Sequence, residues 1–301
     1  MSQHDTNLTQ TMVFLKKIHK SNNIVYLCQS KSSSNYYALK SYSFKNTRID
    51  PAYINESRFI CLSHNNVISI LDKKPKNRSE NDSEAYFSYI LMELAPYGDF
   101  GTLLARSKLP DDPKLMRTYF HQFIDGLEYL HSNGVAHLDL KLSNLLLGEQ
   151  YILKIADFDC ARKEEDGPVL SRGTKNFRAP ELIKGECYDK KACDIYSAGV
   201  ILFCFTVGML PYYEGRLING HDLEELLRTN IDSFWNLHRG SEISDDFKTL
   251  FVSMVNPNPS QRPKIEDIKK NKWFQRSIYT DKELYSIMKR NNQIPCLIKR
   301  T

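Results

Sequence analysis

An α+β fold in two unlike parts, a small β-rich first region and a larger, mainly helical second one, follows from three observations on the 301-residue chain. All 13 glycines lie at or beyond Gly98, so the first third is built without the residue that most readily takes left-handed turns. The runs 12–27, 36–44 and 86–94 are rich in Val, Ile, Tyr and Phe, the composition of strands. Past Gly98 the apolar residues recur at helical spacing instead. A hydrophobic share of 41% and an aromatic share of 11% can close a core, and they exclude a disordered or collagen-like chain.

Each element has its own signal. Within the first region, residues 52–62 have the spacing of a short helix. The stretch 72–84 (DKKPKNRSENDSE) is charged, contains Pro75 and lacks a period, which predicts a solvated loop. In the second region Asp112 and Pro113 make an N-cap and N1 pair. Phe120, Phe123, Ile124, Leu127 and Leu130 then share one face until Gly134 can end the helix. The most apolar stretch, 195–210, falls short of the roughly 18 continuous apolar residues of a membrane span and reads as a buried helix. Phe247, Leu250, Phe251, Met254 and Val255 mark another amphipathic helix. Residues 277–301, with Lys282, Lys289, Arg290, Lys299 and Arg300, read as a solvated end in preference to a docking segment.

Lys and Arg number 41 against 36 Asp and Glu, a formal charge of +5 that is too small to imply a nucleic-acid or membrane-surface partner. The seven cysteines are scattered with no C-x-x-C pair, which fits a reducing compartment and offers no zinc site. The polar start MSQHDTNLTQ has neither the basic end nor the apolar core of a secretory leader. A cytoplasmic location is expected, with a nuclear one as the other choice.

Chemistry concentrates after the glycine-terminated helix. His137-Leu138-Asp139-Leu140-Lys141-Leu142-Ser143-Asn144 leads into the apolar Leu145 to Leu147. A strand-like run, Ile152 to Ala156, precedes Asp157-Phe158-Asp159, and Gly173-Thr174 and Ala179-Pro180-Glu181 follow. This order and spacing resembles the eukaryotic protein kinase family, Ser/Thr branch, whose signatures are H-R-D-L-x-x-x-N, D-F-G and A-P-E. The resemblance implies the two-lobed kinase fold over 13–274. Residues 13–93 would form the small lobe with its one helix, 94–98 the hinge and 99–274 the large lobe, with 1–12 and 275–301 as tails.

What the resemblance implies is ATP-dependent phosphoryl transfer to a protein hydroxyl, with Mg²⁺ neutralising the phosphate charge. Asp139 would be the catalytic base and Lys141 would neutralise the moving phosphate. Thr174 would touch both from the substrate-binding loop. Asn144 and Asp157 would supply hard oxygen ligands to Mg²⁺. Lys40, in Tyr36-Tyr37-Ala38-Leu39-Lys40, would hold the inner phosphates and need a carboxylate partner. Glu56 inside the predicted helix is the choice, against the reading of an exposed helical glutamate. Met92-Glu93-Leu94-Ala95 matches the hinge that grips adenine, Asp99 the ribose position, and Val25, Ala38 and Leu146 the apolar sandwich around the ring. Asp194 would anchor the catalytic loop, and Glu181 with Arg262 would form a buried ion pair. A protein substrate, no nucleic acid, no membrane and a monomer are implied as partners. Asp222, Glu224 and Glu225 suggest a mild taste for basic peptides or simply a solvated helix face.

Three departures bear on activity. No glycine stands in Ile18 to Ile24, where the family has G-x-G-x-x-G, although Ser21, Asn22 and Asn23 keep backbone donors. Asp159 replaces the glycine of D-F-G, restricting backbone reversal there, and either helps to hold metal or faces solvent. Leu138 stands where regulated members have the arginine that pairs with an activation-segment phosphate. Ser171 and Thr174 are the candidate acceptors in that segment. Two functions stand at this point: an active serine/threonine kinase, and a pseudokinase that binds nucleotide or acts as a scaffold with little transfer.

Overall fold

A computed structural model describes residues 11–20, 23–43, 49–78, 86–167, 169, 173–185, 187, 189–212, 231–238, 242–291 and 293–298. Five strands, β1 (Met12–Lys20), β2 (Ile24–Ser30), β3 (Tyr36–Ser43), β4 (Ile70–Arg78) and β5 (Tyr86–Glu93), form one antiparallel sheet in the order β1-β2-β3-β5-β4. Leu27 pairs with Ala38, Val25 with Lys40, Ala38 with Met92 and Lys40 with Ile90. With a side-chain period of two, these residues share one face. The opposite face buries Cys28, Leu39, Tyr89 and Leu91 as a separate small cluster. Both faces of β3 are thus covered, which is why its sequence does not alternate cleanly between apolar and polar residues.

The predicted loop at 72–84 is corrected over its first half, since β4 continues through Asp72 to Arg78. Pro75 is tolerated because β4 is an edge strand, and the pairing skips between Lys74 and Asn77. Residues 79–85 lie outside the described residues. The predicted helix at 52–62 is shorter: α1 spans Pro51–Glu56, with Asp50 capping Ala52 at 2.8 Å, and tightens into a 3₁₀ turn over Ser57–Phe59.

In the second region, α2 (Phe100–Ala105) is followed by α3 (Pro113–Ser132), which opens as the sequence indicates. Asp112 accepts from Lys114 and Leu115 backbone N–H groups at 2.8 and 3.2 Å. Short strands β6 (Val135–Ala136), β7 (Leu145–Leu147), β8 (Leu153–Ile155) and β9 (Arg162–Lys163) frame the loops that carry the motifs. Then come α4 (Pro180–Lys184) and α5 (Lys190–Val207). The predicted buried helix is α5, apolar all round because it runs through the middle of the large region. Gly199 permits this packing, since a Cβ there would meet Val255 Cγ1 at 2.8 Å. Among the described residues the remaining α-helices are α6 (Ile231–Leu237), α7 (Asp245–Met254), α8 (Ile265–Lys270) and α9 (Asp281–Arg290).

Helix α9 overturns the expectation of a solvated end. Thr280 and Glu283 cap it reciprocally, and Leu284 and Met288, one turn apart, are fully buried. The segment is also tied down by its backbone: Arg117 donates to the Ser277 carbonyl at 3.0 and 3.1 Å, and Leu297 N–H to the Pro96 carbonyl at 2.8 Å. Lys16 of β1 closes the strap by donating to the Leu297 carbonyl at 3.0 Å. Charged residues at 281–290 mask an apolar face in the sequence: Leu284 and Met288 are buried, and Tyr279, Ile294, Leu297 and Ile298 pack partly against the core. Among the described residues, no helix is long and apolar enough to cross a membrane.

Candidate active site

Lys40 projects from the buried face of β3 and is 8% exposed. Its ammonium donates to Glu56 Oε2 at 2.6 Å and to Asp157 Oδ1. Glu56 is fully buried, so the reading of an exposed helical glutamate falls away. Desolvation alone would lower the Lys40 pKa, but Glu56 and Asp157 outweigh it and hold the value well above the ordinary one. Burial raises Glu56 against the pull of Lys40. Burial would also raise Asp157, yet Lys40 brings it below the usual carboxylate range. The sequence reading missed Tyr42, whose hydroxyl donates to Glu56 Oε2. It lies two residues beyond Lys40 on the same strand, so the period of two could have found it.

The loop after β6 is organised from beneath by Asp194, which is fully buried in α5. Its carboxylate accepts His137 N–H and Leu138 N–H at 2.8 Å each and meets His131 Nε2 at 3.0 Å. This holds Leu138 at a φ of +62°, a costly conformation for a branched side chain that is 2% exposed. Asp139 follows directly. Lys141 Nζ donates to Asp139 Oδ2 at 2.7 Å and to Thr174 Oγ1 at 2.8 Å, and the Thr174 hydroxyl donates to Asp139 Oδ1 at 2.8 Å. Gly173 makes this closeness possible: at φ +87°, a Cβ would lie 2.5 Å from the Leu138 carbonyl oxygen. Asn144 donates to the Asp139 carbonyl at 2.8 Å, which leaves its amide oxygen available.

Asp157 is placed by the strand before it. Ile155 N–H donates to the Asn66 carbonyl at 2.9 Å, and Ile68 N–H to the Ile155 carbonyl at 2.8 Å, joining the small region to β8. Ala156 N–H donates to the Asn144 carbonyl at 2.9 Å, so the two expected metal ligands flank one short connection. Phe158 is 1% exposed and packs against Phe59 and His137, with ring centroids at 5.7 and 5.3 Å. Asp159 is half-buried; desolvation and the neighbouring Asp157 raise its pKa, so it is not a simply solvated carboxylate. Among the described residues, no cluster of three or more His, Cys, Asp or Glu side chains could hold a metal unaided.

The hinge residues divide their tasks. Glu93 donates its N–H to the Ser69 carbonyl at 3.1 Å, and its carboxylate accepts Ser69 N–H at 2.7 Å and Lys154 at 2.9 Å. Ala95, 7% exposed, has no backbone partner for its N–H or C=O among the described residues. Ala38 and Met92 are register partners and both are buried, with Val25 and Leu146 partly buried against the same cluster. Asp99 caps α2, accepting Thr102 N–H and Thr102 Oγ1 at 2.8 Å each, and sits across a β-bridge from Leu146. Its carboxylate retains acceptor capacity. Asn23 is 6% exposed, whereas Ser21 and Asn22, like Ser171 and the acidic set Asp222, Glu224 and Glu225, lie outside the described residues.

The profile of the protein kinase domain matches residues 21–274, most of the chain. The chain belongs to the eukaryotic serine/threonine protein kinase family. It is 36% identical over 194 residues to CBL-interacting protein kinase 26 of Oryza sativa, which covers 63% of this chain and 37% of that protein. It is 35% identical over 190 residues to CBL-interacting serine/threonine-protein kinase 8 of Arabidopsis thaliana, covering 62% and 40%. With serine/threonine-protein kinase GIN4 of Saccharomyces cerevisiae it shares 34% over 218 residues, 71% of this chain and 18% of the relative. The chain thus spans less than half the length of these curated relatives. Within the family frame, Arg262 holds Glu181 through both guanidinium nitrogens, 2.8 Å from Oε2, and donates to the Ala192 carbonyl at 2.9 Å. Both partners of that pair are at most 9% exposed.

Proposed function

We propose that the protein is an active serine/threonine kinase that transfers the γ-phosphate of ATP to a hydroxyl of a protein substrate. The observation that carries this reading is the Lys40 ammonium held between Glu56 and Asp157. A cation so buried is costly without a use, and here it lies on the sheet face that Val25, Ala38 and Met92 share. Adenine would lie on those three residues and on Leu146, paired to the vacant backbone groups of Ala95 and the carbonyl of Glu93. Asp99 would meet the ribose.

Asp139 is the base of the proposed reaction. It takes the proton of the incoming hydroxyl, whose oxygen forms the new bond to phosphorus as the bond to the ADP oxygen breaks. Lys141 and Thr174 hold its two oxygens in place for this, and Lys141 presents a positive charge where the phosphoryl group passes. The donor set fits Mg²⁺: one carboxylate from Asp157, one amide oxygen from Asn144, and the remaining positions left to phosphate and water. When bound, the ion would neutralise phosphate charge at the point of transfer. Release of Asp157 from Lys40 would free both for that task.

The test is phosphate transfer from ATP to a generic basic protein by the full chain and by Asp139→Ala. Loss of about 10²–10⁴-fold in the variant upholds the reading. The absence of glycine between Ile18 and Ile24 favours a second reading, a nucleotide-binding scaffold. Stabilisation by ATP with magnesium, without transfer by either chain, would select it.

A further inference from the structure

Helix α1 meets the segment after Asp157 through side chains that play no part in the proposed phosphoryl transfer. Asn55, next to Glu56, aims its amide N–H₂ at three carbonyls, those of Asp159 and Ala161 at 2.9 Å and of Phe158 at 3.2 Å. Two hydrogens serve three acceptors, so one is shared. One turn on, Arg58 grips Asp166 with both nitrogens, Nη1 to Oδ2 at 2.8 Å and Nη2 to Oδ1 at 2.9 Å. Nη1 also donates to Asn55 Oδ1 at 3.3 Å, linking the two contacts. Asp166 is itself fixed in its turn: Oδ2 accepts Lys163 N–H at 2.9 Å, and its carbonyl accepts from Lys190.

These contacts do little for overall stability. The Arg58 and Asp166 side chains are 33% and 23% exposed, and pairs in such positions stabilise weakly. The fork-to-carboxylate geometry, however, fixes orientation. Arg58 lowers the Asp166 pKa through its hydrogen bonds, so the carboxylate stays charged at neutral pH. What is oriented is the approach of α1 to Asp157-Phe158-Asp159. Phe158 N–H reaches Glu56 Oε1 at 3.4 Å, and Glu56 in turn holds Lys40. Leu138 provides no charge to order the same segment, being an apolar side chain that is 2% exposed.

We infer that Asn55, Arg58 and Asp166 are positioning residues that latch the 158–166 segment to α1 and the turn after it, and thereby keep Glu56 on Lys40 and hold Asp157 within reach of the phosphate site. The inference rests on the reading of Lys40 and Asp157 as the phosphate and metal site. A misplacement of about 1 Å at such a site is worth up to roughly a hundredfold in rate, so a latch that contributes little to folding can still govern turnover.

The experiment uses the full chain as Asn55→Ala, Arg58→Ala, Asp166→Ala and the double variant Arg58→Ala/Asp166→Ala. Three quantities are read: kcat and KM for ATP, hydrogen-exchange protection of the 158–166 peptide, and the thermal unfolding midpoint. Each single variant is expected to lower kcat about tenfold and to expose the peptide to exchange while the midpoint stays near that of the parent chain. The double variant should be no worse than the poorer single one, because both remove the same contact. Unchanged kcat and protection in the single variants would overturn the inference. So would independent losses multiplying to about a hundredfold in the double variant, or a fall in kcat that only tracks a fall in the midpoint. If the parent chain transfers no phosphate, it is the kinase reading that fails. The exchange arm then decides the latch alone: lost protection upholds it and retained protection overturns it.

Discussion

Lys40, Asp139 and Gly173 each hold their places for a different physical reason, and each reason makes a prediction. Lys40→Met would leave the fully buried Glu56 without its cation, and loss of one partner of such a pair costs about 3–5 kcal/mol. Chemical unfolding should show a loss of that size, together with loss of stabilisation by ATP. Gly173→Ala would force a Cβ to 2.5 Å from the Leu138 carbonyl oxygen at a backbone angle that L-residues avoid. The expected result is a strongly reduced kcat with a modest loss of stability, measured on the purified variant, because the clash falls on the peptide that leads into Asp139, whose Oδ1 would lie 3.4 Å from the new Cβ. These residues were legible in the sequence because each sits in an ordered motif. Tyr42 was only half legible, through its strand period. Asn55 and Arg58 were not legible at all, since backbone carbonyls and a turn carboxylate leave no pattern that identifies them as partners.

At the level of elements, α3 was read correctly because one helical period ran unbroken, and β3 and α5 from the composition and length of their apolar runs. Errors fell where a local signal was overridden by position. Charge and a proline argued for a loop at 72–78, but an edge strand accommodates both. The charged end concealed α9, which is held by Leu284 and Met288. Leu284→Ala should therefore destabilise the whole chain by about 2–5 kcal/mol in denaturant unfolding, which an undocked tail would not do. Helices α4 and α5 are joined to the Arg262 segment through Glu181. Burial would raise the Glu181 pKa, but the bidentate Arg262 prevails and sets it below the ordinary 4.5. With the folded value below the unfolded one, this contribution to stability is complete above about pH 4.5 and is lost as pH falls through the depressed value. Glu181→Gln should flatten that part of an acid unfolding curve.

Taken whole, the contacts that join the two regions among the described residues include the 66–68 backbone pairing with β8, the Lys40 bridge to Asp157, the Lys154–Glu93 pair, the latch from α1, and the terminal strap from Leu297 to Pro96 and Lys16. Motif order placed Lys40 and Asp157 at one triphosphate, because phosphoryl transfer constrains both, and the structure adds the direct bridge between them. The strap and the latch were invisible because many sequences could form them equally well. The absent glycines remain the strongest argument against turnover, and the converged charges the strongest for it. Single-turnover transfer from saturating ATP and magnesium to a protein acceptor weighs the two directly, comparing the full chain with Asp139→Asn. The expected outcome is phosphoserine or phosphothreonine formed by the full chain and a rate lower by about 10²–10⁴-fold in the variant. Equal background labelling by both chains would contradict it.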